Sequence, residues 1–347
     1  MPSTPDRERK QQRLARVRAD AGGAPLLLTS HEAVSWYLDG VRTHVSLAGP
    51  PVLAVRVDEA GDTLFVAANE ADRLVAEDLL PADAARVVPV PWQTSPAEAA
   101  AAVGAATAES QVAAALRAAR ASLLPAERDR YRALGREVAQ ALTDAAAQLS
   151  PRHTERLAAA ALAAGLVEHG IDPLVVLVAG RARLPHRHPL PTDAPLGDRA
   201  MLVVCGRRHG LIANATRWVG AAGADDERIL AVEADFFAAT RPGATLADAF
   251  AAGCAAYGAH GFGADEWQRH HQGGPTGYAG RDPRATAITT DEIVAHHAFA
   301  WNPSAPGAKV EDTVLVTAGG VEVLTADPRW PAVTHAGLRR PAPLSFP

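Results

Sequence analysis

Through the first hundred positions, short apolar runs alternate with stretches whose apolar residues recur at helical spacing. Residues 25–30 (Pro-Leu-Leu-Leu-Thr-Ser), 52–57 and 62–67 read as strands, the last two joined by a turn at Glu59-Ala60-Gly61-Asp62. The charged run 5–20 predicts a helix, and Ser30 or Thr29 caps a second one entering at His31. Residues 70–80 predict a helix closed by Pro81, and 89–96 a strand and its exit. Such alternation is that of an α/β domain. Residues 97–121 read as one nearly continuous Ala-rich helix ending at Leu123-Leu124-Pro125. Pro125 suits the first turn of a new helix, so the expected domains are 1–123 and 124–347.

Beyond that boundary, 127–149 and 153–169 carry helical periodicity, the second with Thr154 as cap and Gly170 as stop. Strands are expected at 174–178, 298–301 and 312–317, and a hairpin at 201–219 turning on Gly and Arg residues. Helices are expected around 227–240 and 246–257, and the Pro- and Arg-rich tail 328–347 is expected to be irregular.

Composition narrows the function classes. The chain has 347 residues, 48% hydrophobic and 21% charged, which suits a soluble globular protein of two domains. A formal net charge of −5 gives no broad basic footprint for nucleic acid or an anionic membrane, so neither is an expected partner. The first twenty residues lack the apolar core of a signal peptide, and no apolar run approaches the roughly 20 residues of a spanning helix. Cys205 and Cys254 are too few for a disulfide framework, which points to a reducing, cytoplasmic setting.

Several motifs occur in order. The hairpin closes on Asn214-Ala215-Thr216-Arg217, preceded by Leu184-Pro185-His186-Arg187-His188-Pro189 and followed by His270-His271-Gln272-Gly273-Gly274-Pro275-Thr276-Gly277-Tyr278. Ala300-Trp301-Asn302-Pro303-Ser304 and Lys309-Val310-Glu311-Asp312-Thr313-Val314 complete the set. Over nearly the whole chain this pattern resembles the creatinase, aminopeptidase P and methionine aminopeptidase family. The resemblance implies an α/β (α+β) protein: an N-terminal creatinase-like domain followed by a C-terminal pita-bread domain. It also implies a dinuclear metal centre, but Val203, Asn214, Gly274 and Asn302 stand at ligand positions and only Glu311 keeps a carboxylate. No metal and no other cofactor is therefore expected, with one ion through His270 or His271 and Glu311 left open.

The function this implies is a hydrolase without the dinuclear centre, cleaving an amide, peptide or amidine-type C–N bond in a small nitrogenous or peptide-like substrate. His186 matches the position where the metal-free relative uses a histidine as acid and base, and Glu311 is expected to orient substrate. Asn214, Arg217, His270, His271, Gly274, Thr276, Tyr278, Arg281, Trp301 and Asn302 are the expected substrate-binding residues. Each has a bland rival: Trp301 as core, Glu311 as a relict ion-paired with Arg217, and His296-His297 as loop surface. Two alternatives remain, a pita-bread pseudoenzyme that binds a peptide or protein and a true Xaa-Pro metallo-aminopeptidase. A homodimer is expected by the same resemblance.

Overall fold

Helix α1 (Pro5–Asp20) is charged along its length yet buries Leu14 and Val17 on one face. Two cations go under with them and stay paired. Lys10 donates to Trp36 O at 2.6 Å and meets Asp39 and Glu127 at 2.7 and 3.0 Å, while Arg7 forks onto Asp83 at 2.7 and 3.0 Å. Burial of a charge is tolerated only with such partners. The computed structural model describes residues 5–347. These fall into two units, one running to Glu127 and taking in His209–Leu211, the other Arg128–Arg208 with Ile212–Pro347. Among the described residues no helix is long and apolar enough to cross a membrane.

The first unit is built on a five-stranded mixed sheet of order β4-β3-β2-β1-β5: β1 (Leu26–Leu28), β2 (Leu53–Val57), β3 (Asp62–Ala67), β4 (Val87–Val90) and β5 (Thr107–Ala108). Helix α2 (His31–Tyr37) starts where Ser30 Oγ accepts from Ala33 N at 3.1 Å. α3 (Ala68–Arg73) runs on into a wide turn at Leu74–Asp78, and α4 (Pro81–Ala84) follows. The continuous helix expected over 97–121 is interrupted. α5 (Pro96–Ala102) stops before Gly104, whose φ of 150° is open to glycine, and the chain adds β5 in parallel to β1 before α6 (Ala113–Ala121). Alanine content carried the helix reading, and strand pairing overrode it.

Helix α7 (Pro125–Ala146) leads into the second unit, followed by α8 (Glu155–Glu168), where Thr154 Oγ1 accepts from Leu157 N. Strands β6 (Asp172–Ala179), β7 (Arg199–Arg208) and β8 (Leu211–Gly220) form an antiparallel sheet that ends on the two-residue β13 (Glu311–Asp312). Helices α9 (Asp226–Ala239) and α10 (Leu246–Ala259) come next. A second antiparallel sheet has the order β15-β14-β10-β9, from β9 (Gly273–Thr276), β10 (Ala298–Trp301), β14 (Val314–Thr317) and β15 (Gly320–Val323). Between them lie β11 (Ser304–Ala305), β12 (Ala308–Lys309) and β13 (Glu311–Asp312). A core of α9, α10 and β10 side chains, including Phe236, Tyr257, Phe299 and Trp301, sits behind the second sheet. The tail expected to be irregular instead pairs β16 (Ala332–His335) with β17 (Leu338–Pro341). Ala336 and Gly337, at φ 46° and 78°, make the tight turn such a hairpin needs. His297, expected at the surface, is buried.

Candidate functional site

In the second unit each motif sends at least one residue to a cavity of about 730 Å³. Its apolar wall is Leu174–Leu177 from β6 with Val203 and Cys205 from β7, held by the register Leu177↔Val203 and Val175↔Cys205. Strand β8 adds Asn214, and β13 adds Glu311, which pairs across to Thr216. Arg281, Arg284, Asn302 and Lys309 complete the polar side.

The 309–312 stretch shows how the sequence aims its charges. Successive residues of an extended segment face opposite ways. Lys309 and Glu311 therefore face the cavity, while Asp312 turns away to Arg217 at 2.8 Å and Arg340 at 2.9 Å. Glu311 takes Lys309 Nζ on one oxygen at 3.0 Å and Arg281 Nη2 on the other at 2.7 Å. Burial pushes its pKa up, but the charges and hydrogen bonds of Lys309 and Arg281 outweigh this and hold it at about 2. Glu311 is thus ionised and already neutralised. Three cations, Lys309, Arg281 and Arg284, face one carboxylate, so the cavity carries positive charge. Asn214 Oδ1 and Asn302 Oδ1 are buried acceptors without a hydrogen-bond partner. Asn214 Nδ2 donates to Thr276 Oγ1 at 3.2 Å, which fixes the amide's orientation. Burial pushes the Cys205 thiol up to about 12, so it is no nucleophile near neutral pH.

Three imidazoles gather at the edge of this cavity. His188 Nε2 and His270 Nε2 are 3.0 Å apart, and the His271 ring centroid lies 4.5 Å from that of His270 and 5.8 Å from that of His188. His188 and His271 line the cavity. Adjacent histidines on a regular strand diverge, so at most one of the pair is expected to join Glu311 on a metal ion. Residues 270 and 271 instead precede β9, after a helical turn at Glu266–Arg269, and both rings reach His188. Burial, then nearby cations, lowers the pKa of His270 to about 2 and of His271 to about 4. They are neutral near pH 7.

The other expected site residues fall as follows. His186 is exposed and is not among the residues lining the cavity. Trp301 is wholly buried, stacked on Phe236 at 4.5 Å with Nε1 donating to Thr240 Oγ1, and so is a core residue. Arg217 is buried against Asp312 and Thr325 O, not against Glu311, which corrects the relict ion pair considered from sequence. Thr276 braces Asn214, and Tyr278 is buried with its hydroxyl near Arg130. Sequence reasoning missed His188, Lys309, Arg284 and Cys205. Period-two alternation would have found Lys309 from Glu311.

The residues present fit a dinuclear metal centre poorly. Two divalent ions need several anionic or imidazole ligands and a bridging carboxylate. Here Val203 offers no donor, Asn214 and Asn302 offer neutral amides, and Glu311 is claimed by two cations. Gly274 leaves no room for a side chain: at φ 133° an added Cβ would stand 2.9 Å from Ala285 N. The backbone has closed over the place of the imidazole ligand that the resemblance implies.

Residues 129–318 match the model of metallopeptidase family M24. No curated protein matches the chain in sequence. Among solved structures it is similar to dipeptidase PepE from Mycobacterium ulcerans, with 20% identity, 99% of this chain and 100% of that one covered, and a TM-score of 0.74. The prolidase from Pyrococcus horikoshii gives 16%, 92%, 99% and 0.73 in the same order. The N-terminal domain of FACT complex subunit SPT16 from chickpea, Cicer arietinum, gives 12%, 92%, 97% and 0.67. At these identities the likeness is one of fold, and it bears out the pita-bread architecture expected from the motifs.

Proposed function

The chain belongs to metallopeptidase family M24, and from that premise we propose that it is a hydrolase of a small peptide-like substrate that works without the family's dinuclear centre. The substrate class is an amide carrying a carboxylate, such as a dipeptide or an N-acyl amino acid. One observation carries this reading: a positively charged cavity whose two asparagine oxygens await N–H donors. Arg284, with the Lys309–Glu311–Arg281 triad behind it, attracts the carboxylate, and Asn214 and Asn302 accept from the substrate nitrogen. The wall of Leu174, Val176 and Val203 takes an apolar side chain.

Water activation falls to the imidazole cluster. His186 is the histidine the sequence points to for this role, but His188 and His271 are the histidines that line the cavity, and burial holds both neutral near pH 7, with a ring lone pair able to take a proton. A second reading is favoured by the closed backbone at Gly274: a pseudoenzyme that binds the same ligand class without turning it over. A true Xaa-Pro metallo-aminopeptidase is the reading the donor set supports least. The chain is further proposed to act as a cytoplasmic homodimer.

The deciding experiment incubates the purified chain with dipeptides, N-acyl amino acids, and ureido and guanidino acids, and follows release of the amine by mass spectrometry. Turnover that drops about 100-fold in His188→Ala supports the hydrolase. Binding without turnover across the panel moves the assignment to the pseudoenzyme.

A further inference from the structure

We propose that His188, His270 and His271 form a binding site for a single transition-metal ion of the kind that prefers imidazole, Zn²⁺, Co²⁺ or Ni²⁺, with its open coordination position facing the cavity. One nitrogen from each ring lies within 4.8 Å of the others, and this is the one such cluster of His, Cys, Asp and Glu among the described residues. The closest pair, His188 Nε2 and His270 Nε2, is 3.0 Å apart. Two imidazoles on a tetrahedral zinc ion, with bonds of about 2.0–2.1 Å, stand about 3.3 Å apart, so this pair is close to ligand spacing. The third nitrogen stands no more than 4.8 Å from the other two.

The surroundings prepare the rings for ligation. Ser304 Oγ lies 3.1 Å from His270 Nδ1, and Arg187 Nη1 donates to the same hydroxyl at 3.2 Å. A hydroxyl that accepts the Nδ1–H leaves Nε2 with a free lone pair, the outer-sphere arrangement that orients metal-bound histidines. Arg187 is itself anchored on Glu266. His271 Nδ1 is a buried nitrogen with no hydrogen-bond partner, an orphan of the type that a bound ion or water explains.

Charge decides the kind of ion and its fourth ligand. Lys309, Arg281 and Arg284 oppose any cation held by electrostatics alone, which rules against Mg²⁺ or Ca²⁺. An ion held by coordinate bonds from nitrogen withstands this field better, and the same field favours hydroxide or a substrate carboxylate as its fourth ligand. Three protein ligands with one open position is the arrangement of catalytic zinc sites. None of these ligands stands at the positions of the dinuclear centre discussed above. Ligation would occupy the ring lone pairs that the metal-free form uses to accept a proton, so a bound ion would supply water activation in their place; that role rests on the hydrolase reading, but the binding itself does not.

The test uses the full chain, stripped with chelator and dialysed, then titrated with Zn²⁺ by calorimetry and with Co²⁺ by visible absorption. The expected result is one ion per chain, bound at low micromolar concentration or tighter, with the visible bands of tetrahedral Co²⁺. His188→Ala, an exposed position safe for folding, and His271→Ala should each weaken binding at least tenfold, whereas His186→Ala should leave it unchanged. Circular dichroism confirms that each variant is folded. Absence of binding, two ions per chain, or one ion indifferent to both His188→Ala and His271→Ala would overturn the proposal. Because no substrate enters the assay, a failed hydrolase reading leaves this result unaffected.

Discussion

Lys309 Nζ stands 3.0 Å from Glu311 Oε2, with both side chains almost wholly buried and Arg281 closing on the other carboxylate oxygen. Removing one partner from a buried pair is more damaging than replacing both, because it leaves an uncompensated charge. Glu311→Gln should therefore destabilise the fold by about 3–5 kcal/mol in urea unfolding. The double variant Glu311→Leu with Lys309→Met should recover part of that loss. Equal destabilisation by the single and double variants would show that the loss comes from Arg281 left without its carboxylate and not from Lys309.

That pairing also marks how far the sequence could be read. The motif order 184–189, 201–219, 270–278 and 309–314 was enough to expect the fold, because those segments keep the glycines and strand pattern that build it. The expected ligand positions do meet, since Val203, Asn214, Asn302 and Glu311 line one cavity. What stayed hidden was partner choice. Glu311 pairs with Arg281 across 30 positions of sequence, and Arg217, the partner expected from the motifs, belongs to Asp312. The motif points to His186 and not His188 because it fixes a register, not which of two nearby rings turns inward. In the first unit, Ala-rich composition concealed the break at Gly104, where β5 joins the sheet.

Gly274→His restores the residue type implied at that position by the resemblance, yet it should not create a metal centre. Its φ of 133° disfavours any side chain, and the new Cβ meets Ala285 N at 2.9 Å. A fall of several degrees in melting temperature, with no gain in bound Mn²⁺ or Co²⁺, is the expected outcome. A stable variant with two bound ions would show that the site retains dinuclear capacity.

Trp301 belongs to the core, so Trp301→Ala should cost about 3–5 kcal/mol of stability through lost burial, its stacking on Phe236 and its bond to Thr240. Trp301→Phe should lose much less and keep ligand affinity. A large loss of affinity in a stable Trp301→Phe protein would return this residue to the binding site.

Acid sensitivity should be visible in His297. Burial lowers its pKa from 6.5 to about 4, against the opposing charges of Asp282 and Asp291. The unfolded chain binds a proton below about 6.5 that the folded chain refuses until about 4, so stability is full above that window and falls as pH drops through it. The contribution of one such group is up to about 1.4 kcal/mol per pH unit. His297→Gln should flatten the slope of unfolding free energy between pH 6.5 and pH 4 relative to wild type. An unchanged slope would mean that His297 is not the group titrating there.

A cavity that recognises a carboxylate attached to an amide, as proposed, must separate matched ligands that differ only in that carboxylate. Calorimetry with a hydrophobic N-acyl amino acid and with its primary amide, on wild type and on Arg284→Ala, is the measurement. The acid should bind at least tenfold more tightly than the amide, and that preference should shrink in Arg284→Ala, a replacement at an exposed position. Equal affinity for acid and amide, or a preference untouched by Arg284→Ala, would contradict it.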